Sequence, residues 1–534
     1  MNGRGIVWIF LIVSLISLGT VFTDGSDGLP GDTFTVDGID YAILDENHVR
    51  ATCANSTVGS FISLPSQVPH DGHTYIVTSI GMEFSMYVDI ESISIPETVI
   101  EIVPGALSSS TLDTITVHAS NPVFRVEGNV LYDDVRKAIV RYCPSNVGAV
   151  FEVPSDILTL DAYSFYYASN LEEIRGIPNF MSVIGDYTFH GCSSLIKVNY
   201  DVVRGANILP EGLLFIGNSA FSLCDLLGNV VLPESLVFLD SYAFAYNDTL
   251  RTIDIPENVN YIGDSAFFSC RALESITVSA ANPNYTSLDG VLFLKEGNPT
   301  TLDLIHYPSM KPGASYVLPE LSNKINREAF YGAVHLKSVV FNDNFTVIPA
   351  GALFGAYAVE TVTLPSTTIF IDMSAFSDCT ALKTIIGGES VVTIGAWAFS
   401  GTNLSHPFIP KSLTAINDYA FSGCMGFVDI TIPSNVKRMG SYIFENCSNI
   451  VSITFEGTNI DFASDSLSMG SEESPMDVSV YYHKGLTIPS DVSNQFTVLD
   501  LIELGKDPYP WENLIGVAVC LLILFGMFRL FKEV

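Results

Sequence analysis

The feature that most constrains this chain is an internal period. Aligned on the segment I-G-x-x-A-F-x-x-C, residues 253–276 read IDIPENVNYIGDSAFFSCRALESI. Residues 362–385 read VTLPSTTIFIDMSAFSDCTALKTI, and residues 430–453 read ITIPSNVKRMGSYIFENCSNIVSI. The aromatic marker falls at Phe221, Phe244 and Phe267, in steps of 23. It continues at Phe330, Leu353, Phe376, Phe399, Phe421 and Phe444, in steps of 23, 23, 23, 22 and 23. Phe84, Leu107, Phe165 and Phe189 extend the series toward the N-terminus with longer insertions between some of them. A fixed period of this length signals stacked supersecondary units, so the 534 residues are read as one repeat array rather than several globular cores.

Each unit has one physical grammar. A short segment such as Leu273-Glu-Ser-Ile276-Thr-Val278 alternates at period two and reads as a strand with one buried face. A proline often closes it, as at Pro233, Pro256, Pro365, Pro410 and Pro433, because proline brings no ladder N–H and suits a strand end. The segment x-x-V-x-x-I-G returns the chain, with Gly185, Gly217, Gly263, Gly395 and Gly440 at the corner. A-F-x-x-C then packs the opposite, convex side as a helical or irregular 3-10 turn. One unit cannot bury its Ile, Val and Phe alone, but stacked units can. Each fully buried Phe contributes roughly 1.5–3 kcal/mol. The expected fold is a leucine-rich-type repeat solenoid of about 23-residue units with a curved parallel sheet, followed by one C-terminal transmembrane helix.

The unit I-P-x-x-V-x-x-I-G-x-x-A-F-x-x-C-x-x-L resembles that of the BspA-like leucine-rich-repeat surface proteins, over about residues 34–455. Two inserts support the resemblance. Asn121-Pro-Val-Phe-Arg-Val-Glu-Gly-Asn-Val-Leu-Tyr is similar to Asn282-Pro-Asn-Tyr-Thr-Ser-Leu-Asp-Gly-Val-Leu-Phe, and both are expected to form protruding hairpins. Phe34-Thr-Val-Asp-Gly-Ile-Asp-Tyr looks like the family's N-terminal cap. The resemblance implies display on a microbial cell and binding of host or partner-cell macromolecules.

Both ends carry targeting signals. Ile6 to Leu18 is an apolar run behind Arg4, the order of a secretory signal, although Gly19-Thr20-Val21-Phe22 is a poor cleavage site and an uncleaved signal anchor stays open. Leu514 to Phe528 carries no charge, and counting on to Phe531 gives 18 residues. That is about 27 Å of helix against a hydrocarbon core of about 30 Å. Tyr509 and Trp511 suit an interfacial belt, and Arg529 and Lys532 place the C-terminus in the cytoplasm with the bulk of the chain outside. The expected organisation is therefore signal 1–23, N-terminal cap 24–78, repeats 79–455 with inserts near 118–150 and 279–317, C-terminal cap 456–504, stalk 505–512, membrane helix 513–531 and tail 532–534.

Charge narrows the partners. Lys and Arg number 24 against 58 Asp and Glu, a net charge of −34. Such a chain repels nucleic acid and anionic headgroups and attracts cations and basic proteins, or is simply kept soluble by its acidity. The nine histidines are scattered, and no H-E-x-x-H, G-x-S-x-G, G-x-x-x-x-G-K-[ST] or strand-linked G-x-G-x-x-G is present. No calcium-loop spacing recurs. The expectation is a non-catalytic protein with no metal and no cofactor.

Six of nine cysteines, Cys192, Cys224, Cys270, Cys379, Cys424 and Cys447, share one repeat position. None forms C-x-x-C, and neighbouring coils at about 4.8 Å sit wide of a disulfide Cβ spacing of about 3.8 Å. A buried column of apolar thiols is expected, with Cys424 and Cys447 the pair to test for a bridge.

Exposed strand positions give the candidate binding face. The residues flanking each inward Ile are Ser92, Ser94, Thr114, Thr116, Thr252, Asp254, Ser275, Thr277, Ser338, Thr361, Thr363, Thr384, Asp429, Thr431, Ser452 and Thr454. This nearly uncharged hydroxyl stripe on the concave sheet would serve protein or glycan contact, unless it reflects only the β-propensity of Thr. Sequons at Asn55, Asn247, Asn284, Asn344, Asn403 and Asn446 are candidate N-glycosylation sites. The function expected is adhesion or recognition of an extracellular protein or glycan. The rivals are a self-assembling surface layer and, more remotely, an extracellular hydrolase.

Overall fold

A computed structural model describes residues 31–143, 148–297, 300–463, 465–467, 478–483, 486 and 501–504. The signal, stalk, membrane helix and tail expected at 1–23, 505–512, 513–531 and 532–534 lie outside the described residues. Among the described residues no helix is long and apolar enough to cross a membrane. The chain forms two compact units, Met1–Val147 with Asp156–Ala168, and Gly148–Ser155 with Ser169–Val534.

In the first unit the N-terminal sheet runs from antiparallel to parallel. Thr33–Val36 pairs antiparallel with Ile39–Ile43, which pairs antiparallel with His48–Ala54. Its first turn, Asp37-Gly38, has φ of 49° and 79°, the left-handed pair of a tight type I′ hairpin. His48–Ala54 then pairs in parallel with His73–Ile80, which pairs in parallel with Glu101–Ile102. A second sheet stacks Phe61–Ser63, Ser92–Ile95 and Thr114–Val117 in parallel. The insert near 118–150 holds a hairpin of Phe124–Glu127 and Val130–Asp133, extended by Ala138–Tyr142. Arg136 ties it to the coil behind: its Nε donates to Asp133 Oδ2 at 2.6 Å, and Nη1 and Nη2 donate to Asp161 at 2.9 and 2.7 Å.

The second unit repeats one coil many times. Its longer strands stack in parallel as Val150–Glu152, Glu173–Arg175 and Lys197–Val198, then as Thr252–Ile255 with Ser275–Val278. They continue as Ser315–Val317, Ser338–Val340, Thr361–Leu364 and Thr384–Gly387. A last group stacks Asp429–Ile432, Ser452–Phe455, Ser479–His483 and Leu501–Leu504, so the segment expected as a C-terminal cap continues the sheet. The strand expected at Phe496-Thr-Val-Leu lies outside the described residues, and the observed one begins at Leu501.

Two-residue strands at the I-G corner form a second set of ladders. One joins Val183–Ile184, Phe215–Ile216, Phe238–Leu239 and Tyr261–Ile262. It stops where the insert near 279–317 begins, and there the Tyr285 hydroxyl accepts the Ile262 N–H at 2.8 Å. That insert folds as a hairpin of Tyr285–Leu288, Val291–Glu296 and Thr301–His306. A third hairpin, Tyr200–Asp201 with Ala206–Ile208, was not expected from the sequence. The signal for it was present, because Tyr200-Asp-Val-Val-Arg-Gly echoes Tyr132-Asp-Asp-Val-Arg-Lys of the first insert. In both turns the leading Asp accepts two backbone N–H groups, Asp133 from Val135 and Arg136, and Asp201 from Val203 and Arg204.

The marker side chains form the core. Phe189, Phe221, Phe244 and Phe267 stack at 5.2, 5.3 and 6.3 Å between ring centres. Phe376, Phe399, Phe421 and Phe444 stack at 5.1, 5.4 and 5.9 Å. All eight are at most 1% exposed. Stacked rings at these distances add to the area term that burial supplies.

The helical turn expected for A-F-x-x-C is absent among the described residues. Two left-handed residues bracket the marker in coil after coil: Ser219 and Leu223 around Phe221 (φ 52° and 59°), Tyr242 and Tyr246 around Phe244 (56° and 59°), Ser374 and Asp378 around Phe376 (55° and 58°). A helix cannot pass through such residues. The hydrogen bonds show what is gained. The Phe221 N–H donates to Ala243 carbonyl at 2.8 Å, Phe244 to Ala266 at 2.9 Å, and Phe376 to Ala398 at 2.8 Å. Alternate amides of the turn therefore reach the next coil, forming a further inter-coil seam, while those between them close back along the turn, as Ser222 does to the Ser219 carbonyl at 3.1 Å and Ala245 to Tyr242 at 3.0 Å.

Candidate functional site

The hydroxyl stripe is built by register. Parallel pairing sets Thr252 beside Ser275 and Asp254 beside Thr277. It sets Ser338 beside Thr361 and Thr361 beside Thr384, with Thr363 one step along. It sets Asp429 beside Ser452 and Thr431 beside Thr454. In the first unit Ser92 pairs with Thr114 and Ser94 with Thr116. Between these residues Ile253, Ile276, Val339, Val362, Ile430 and Ile453 point inward and are buried. Alternation thus leaves the hydroxyls and the two carboxylates on the outer face.

The two stripe aspartates are engaged by the next coil. Thr277 Oγ1 donates to Asp254 Oδ1, and Ser452 Oγ donates to Asp429 Oδ1 at 2.6 Å. Each pair is a hydroxyl–carboxylate bridge across the ladder, which stabilises neighbouring coils as cross-strand pairs do. The candidate face is less uniform than the sequence suggested. Glu173, Arg175 and Lys197 occupy the same strand face in one sheet, and Arg175 Nε donates to Glu173 Oε1 at 2.7 Å. Val317 and Ile386, in register with Thr363, are 63% and 52% exposed. The described stripe in the second unit is therefore three hydroxyl fields: 252–277, 338–384 and 429–454.

The cysteines have a defined task. Cys224 Sγ donates to the Phe189 carbonyl at 3.1 Å, Cys270 to Phe244 at 3.0 Å, Cys379 to Leu353 at 3.0 Å, Cys424 to Phe399 at 3.1 Å and Cys447 to Phe421 at 3.0 Å. Each thiol caps the marker carbonyl of the preceding coil. Among the described residues eight cysteines, Cys424 and Cys447 included, are free thiols, and burial pushes the Cys270 thiol up to about 12. Asn247 occupies the same repeat position and does the same work twice, its Nδ2 donating to Phe221 and Phe244 carbonyls at 2.8 Å each.

That placement corrects one candidate glycosylation site. Asn247 is fully buried and both amide hydrogens are used, so it is no acceptor in the folded chain. Asn344, Asn403 and Asn446 are exposed, and Asn55 and Asn284 are half-buried. Among the described residues no group of three or more His, Cys, Asp or Glu side chains is arranged to hold a metal ion.

The family model described as the BspA type leucine rich repeat region (6 copies) matches residues 74–132, 143–204, 205–295, 312–426 and 348–471, well over half of the chain. Among solved structures, a leucine rich cell surface protein from Faecalibacterium prausnitzii is similar at 25% identity, covering 81% of this chain and 96% of that one, with a TM-score of 0.44. The pneumococcal vaccine antigen PcpA is similar at 19% identity, covering 89% and 99%, with a TM-score of 0.44. A leucine-rich repeat protein from Bacteroides ovatus is similar at 19% identity, covering 87% and 97%, with a TM-score of 0.36. No curated protein matches the chain.

Proposed function

The chain belongs to the BspA-type leucine-rich-repeat family, and from that premise we propose that it is a non-catalytic surface protein that holds an extracellular protein or glycan on its strand face. The observation that carries this reading is the register of the hydroxyl fields. Ser338, Thr361 and Thr384 lie side by side on three consecutive coils, above inward residues that fix their spacing. A rigid row of short hydroxyls can donate and accept along an extended ligand while losing little side-chain entropy on binding. In this reading the apolar run at 513–531 tethers the C-terminus to the membrane and the signal at 1–23 sends the remainder outside.

The test is binding of the full chain to cells and to a glycan array, comparing the parent with a Thr361→Lys, Thr363→Lys, Thr384→Lys variant. Saturable binding that falls at least tenfold in the variant supports the reading. Unchanged binding in that variant, with loss on deleting the hairpins, transfers the contact to the hairpins. Self-association without any heterologous binding would favour a surface layer.

A further inference from the structure

A second surface lies on the turn side of the second unit, away from the strand face. Trp397, Tyr419 and Tyr442 occupy one repeat position on three consecutive coils. Their rings are nearly parallel, at 4.0 Å and 6° between Trp397 and Tyr419, and 5.0 Å and 14° between Tyr419 and Tyr442. On the other side of Trp397 the preceding coil carries Ser374 at this position, so that side of the indole meets no ring of the preceding coil. Trp397 is 39% exposed.

The backbone makes these aromatics costly. All three are left-handed, with φ of 60°, 56° and 54°. A bulky residue in that conformation is strained by roughly 1–3 kcal/mol. The same position is Ser219, Ser265, Gly351 and Ser374 in four other coils, where the turn forms without a ring, and Tyr163, Tyr187 and Tyr242 in three more, but three consecutive coils carry a ring only at 397, 419 and 442. Core packing does not require the rings either, because the column of Phe376, Phe399, Phe421 and Phe444 is complete beneath them. Parallel rings on three coils in a row, at a strained position that a serine could fill, point to a surface role.

Charge decides what the surface complements. The turn segments 372–380, 395–403, 417–425 and 440–448 contain Asp372, Asp378, Asp418 and Glu445 and not one Lys, Arg or His. Arg438, on the short strand leading into the Tyr442 turn, donates to the neutral Asn417 Oδ1 at 3.0 Å and keeps its charge, one cation against the four turn carboxylates. Carboxylates lie toward both ends of the stack: Asp378 Oδ1 sits 2.9 Å from where a Cβ on Gly401, in the Trp397 turn, would lie, and Asp465 first, with Glu445 also, pushes the Tyr442 phenol above its ordinary value. Aromatic faces among carboxylates favour a cation, which gains from the ring quadrupole and from the negative field together, with Trp the best ring. A neutral saccharide would leave that field uncompensated.

We propose that the Trp397–Tyr419–Tyr442 stack is a docking surface for an arginine-rich segment of a partner protein, with a guanidinium lying on the open face of Trp397. Arginine suits the site better than lysine because its planar head stacks and hydrogen-bonds to flanking carboxylates at once. This surface is independent of the strand-face hydroxyl fields.

The test is isothermal titration of the full chain with nona-arginine, with nona-citrulline of the same shape but no charge, and with a neutral dextran oligosaccharide. Trp397→Ser places there the residue that the preceding coil carries, and Trp397→Phe keeps a weaker ring. Binding of nona-arginine is expected to weaken roughly tenfold in Trp397→Ser and less in Trp397→Phe, and nona-citrulline is expected not to bind. Quenching of Trp397 emission by nona-arginine, read as the difference between the parent and Trp397→Phe, gives the same answer without the serine variant. Equal affinity in the parent and both variants, or no quenching, overturns the proposal in favour of diffuse acidity. Binding of nona-citrulline or dextran that depends on Trp397 overturns it in favour of a neutral ligand.

Discussion

At the scale of single residues, the repeat position after A-F-x-x shows how different side chains solve one physical problem. The buried marker carbonyls of Phe189, Leu353, Phe399 and Phe421 accept the backbone N–H three residues on and take a side-chain donor as a second partner, whereas those of Phe221 and Phe244 are met by side chains. A buried carbonyl left unpaired costs about 1–3 kcal/mol. Cys224, Cys270, Cys379, Cys424 and Cys447 supply a thiol, Asn247 supplies an amide, and Thr402 supplies a hydroxyl to Phe399 at 2.8 Å. Asn247→Ala should therefore lower stability by about 1–3 kcal/mol, and Asn247→Cys by clearly less, in urea unfolding followed by circular dichroism. A larger loss in the cysteine variant would show that the carbonyl is not the point. His306 is a second case. It is buried and its Nε2 meets no partner in the fold, and burial lowers its pKa to about 4 from an ordinary 6.5. The folded chain thus holds this imidazole neutral while the unfolded chain takes up a proton below 6.5. The stability it contributes is fully present above pH 6.5 and is lost as pH falls toward 4. His306→Phe should flatten the fall in melting temperature across that window, and an unaltered slope would remove His306 as its source.

At the scale of elements, the turn is where sequence periodicity and backbone geometry part company. A-F-x-x-C has helix-compatible residues, yet the coil needs alternate amides aimed at a neighbour 22 or 23 residues away, and two left-handed residues per turn achieve that. Gly355 shows the constraint. Its φ is 66°, and a Cβ there would lie 2.4 Å from Tyr331 Cδ2, so Gly355→Ala should destabilise by more than about 1 kcal/mol. The stacked markers should respond more strongly. Phe244→Ala removes a ring held between Phe221 and Phe267 and is expected to cost about 3–5 kcal/mol. Both predictions are read by denaturant midpoints at constant slope. In the first unit, Arg136 holds two carboxylates that are each only 5% exposed, Asp133 and Asp161. Arg136→Met strands them, and because the guanidinium is 38% exposed a loss of about 2–3 kcal/mol is expected, read by the same denaturant midpoints.

At the scale of the molecule, the net charge of −34 sets the background against which every local charge acts. Ion pairs such as Lys337 and Lys383 on either side of Glu360, at 3.4 and 3.3 Å, offset it only locally and lie at the surface, where such pairs stabilise little. Added salt screens the remaining repulsion, so the melting temperature should rise between low and about physiological ionic strength. A fall would mean that surface ion pairs outweigh self-repulsion. The solenoid itself was legible in the sequence because its cause is local and repeated: period-two strands, prolines at their ends, glycines at corners and a marker ring every 22 or 23 residues. The hydroxyl stripe was legible for the same reason, since alternation alone assigns a strand residue to one face. What periodicity could not supply is contact. It could not show that the Asn247 amide reaches the carbonyls of Phe221 and Phe244, although the repeat position shared with the buried cysteines already placed it inside, as alternation already placed Glu173 and Arg175 on the strand face. Nor could it show that Trp397, Tyr419 and Tyr442 align as parallel rings. Those facts depend on which atoms meet between coils, and the register that brings them together exists only once the coils have stacked.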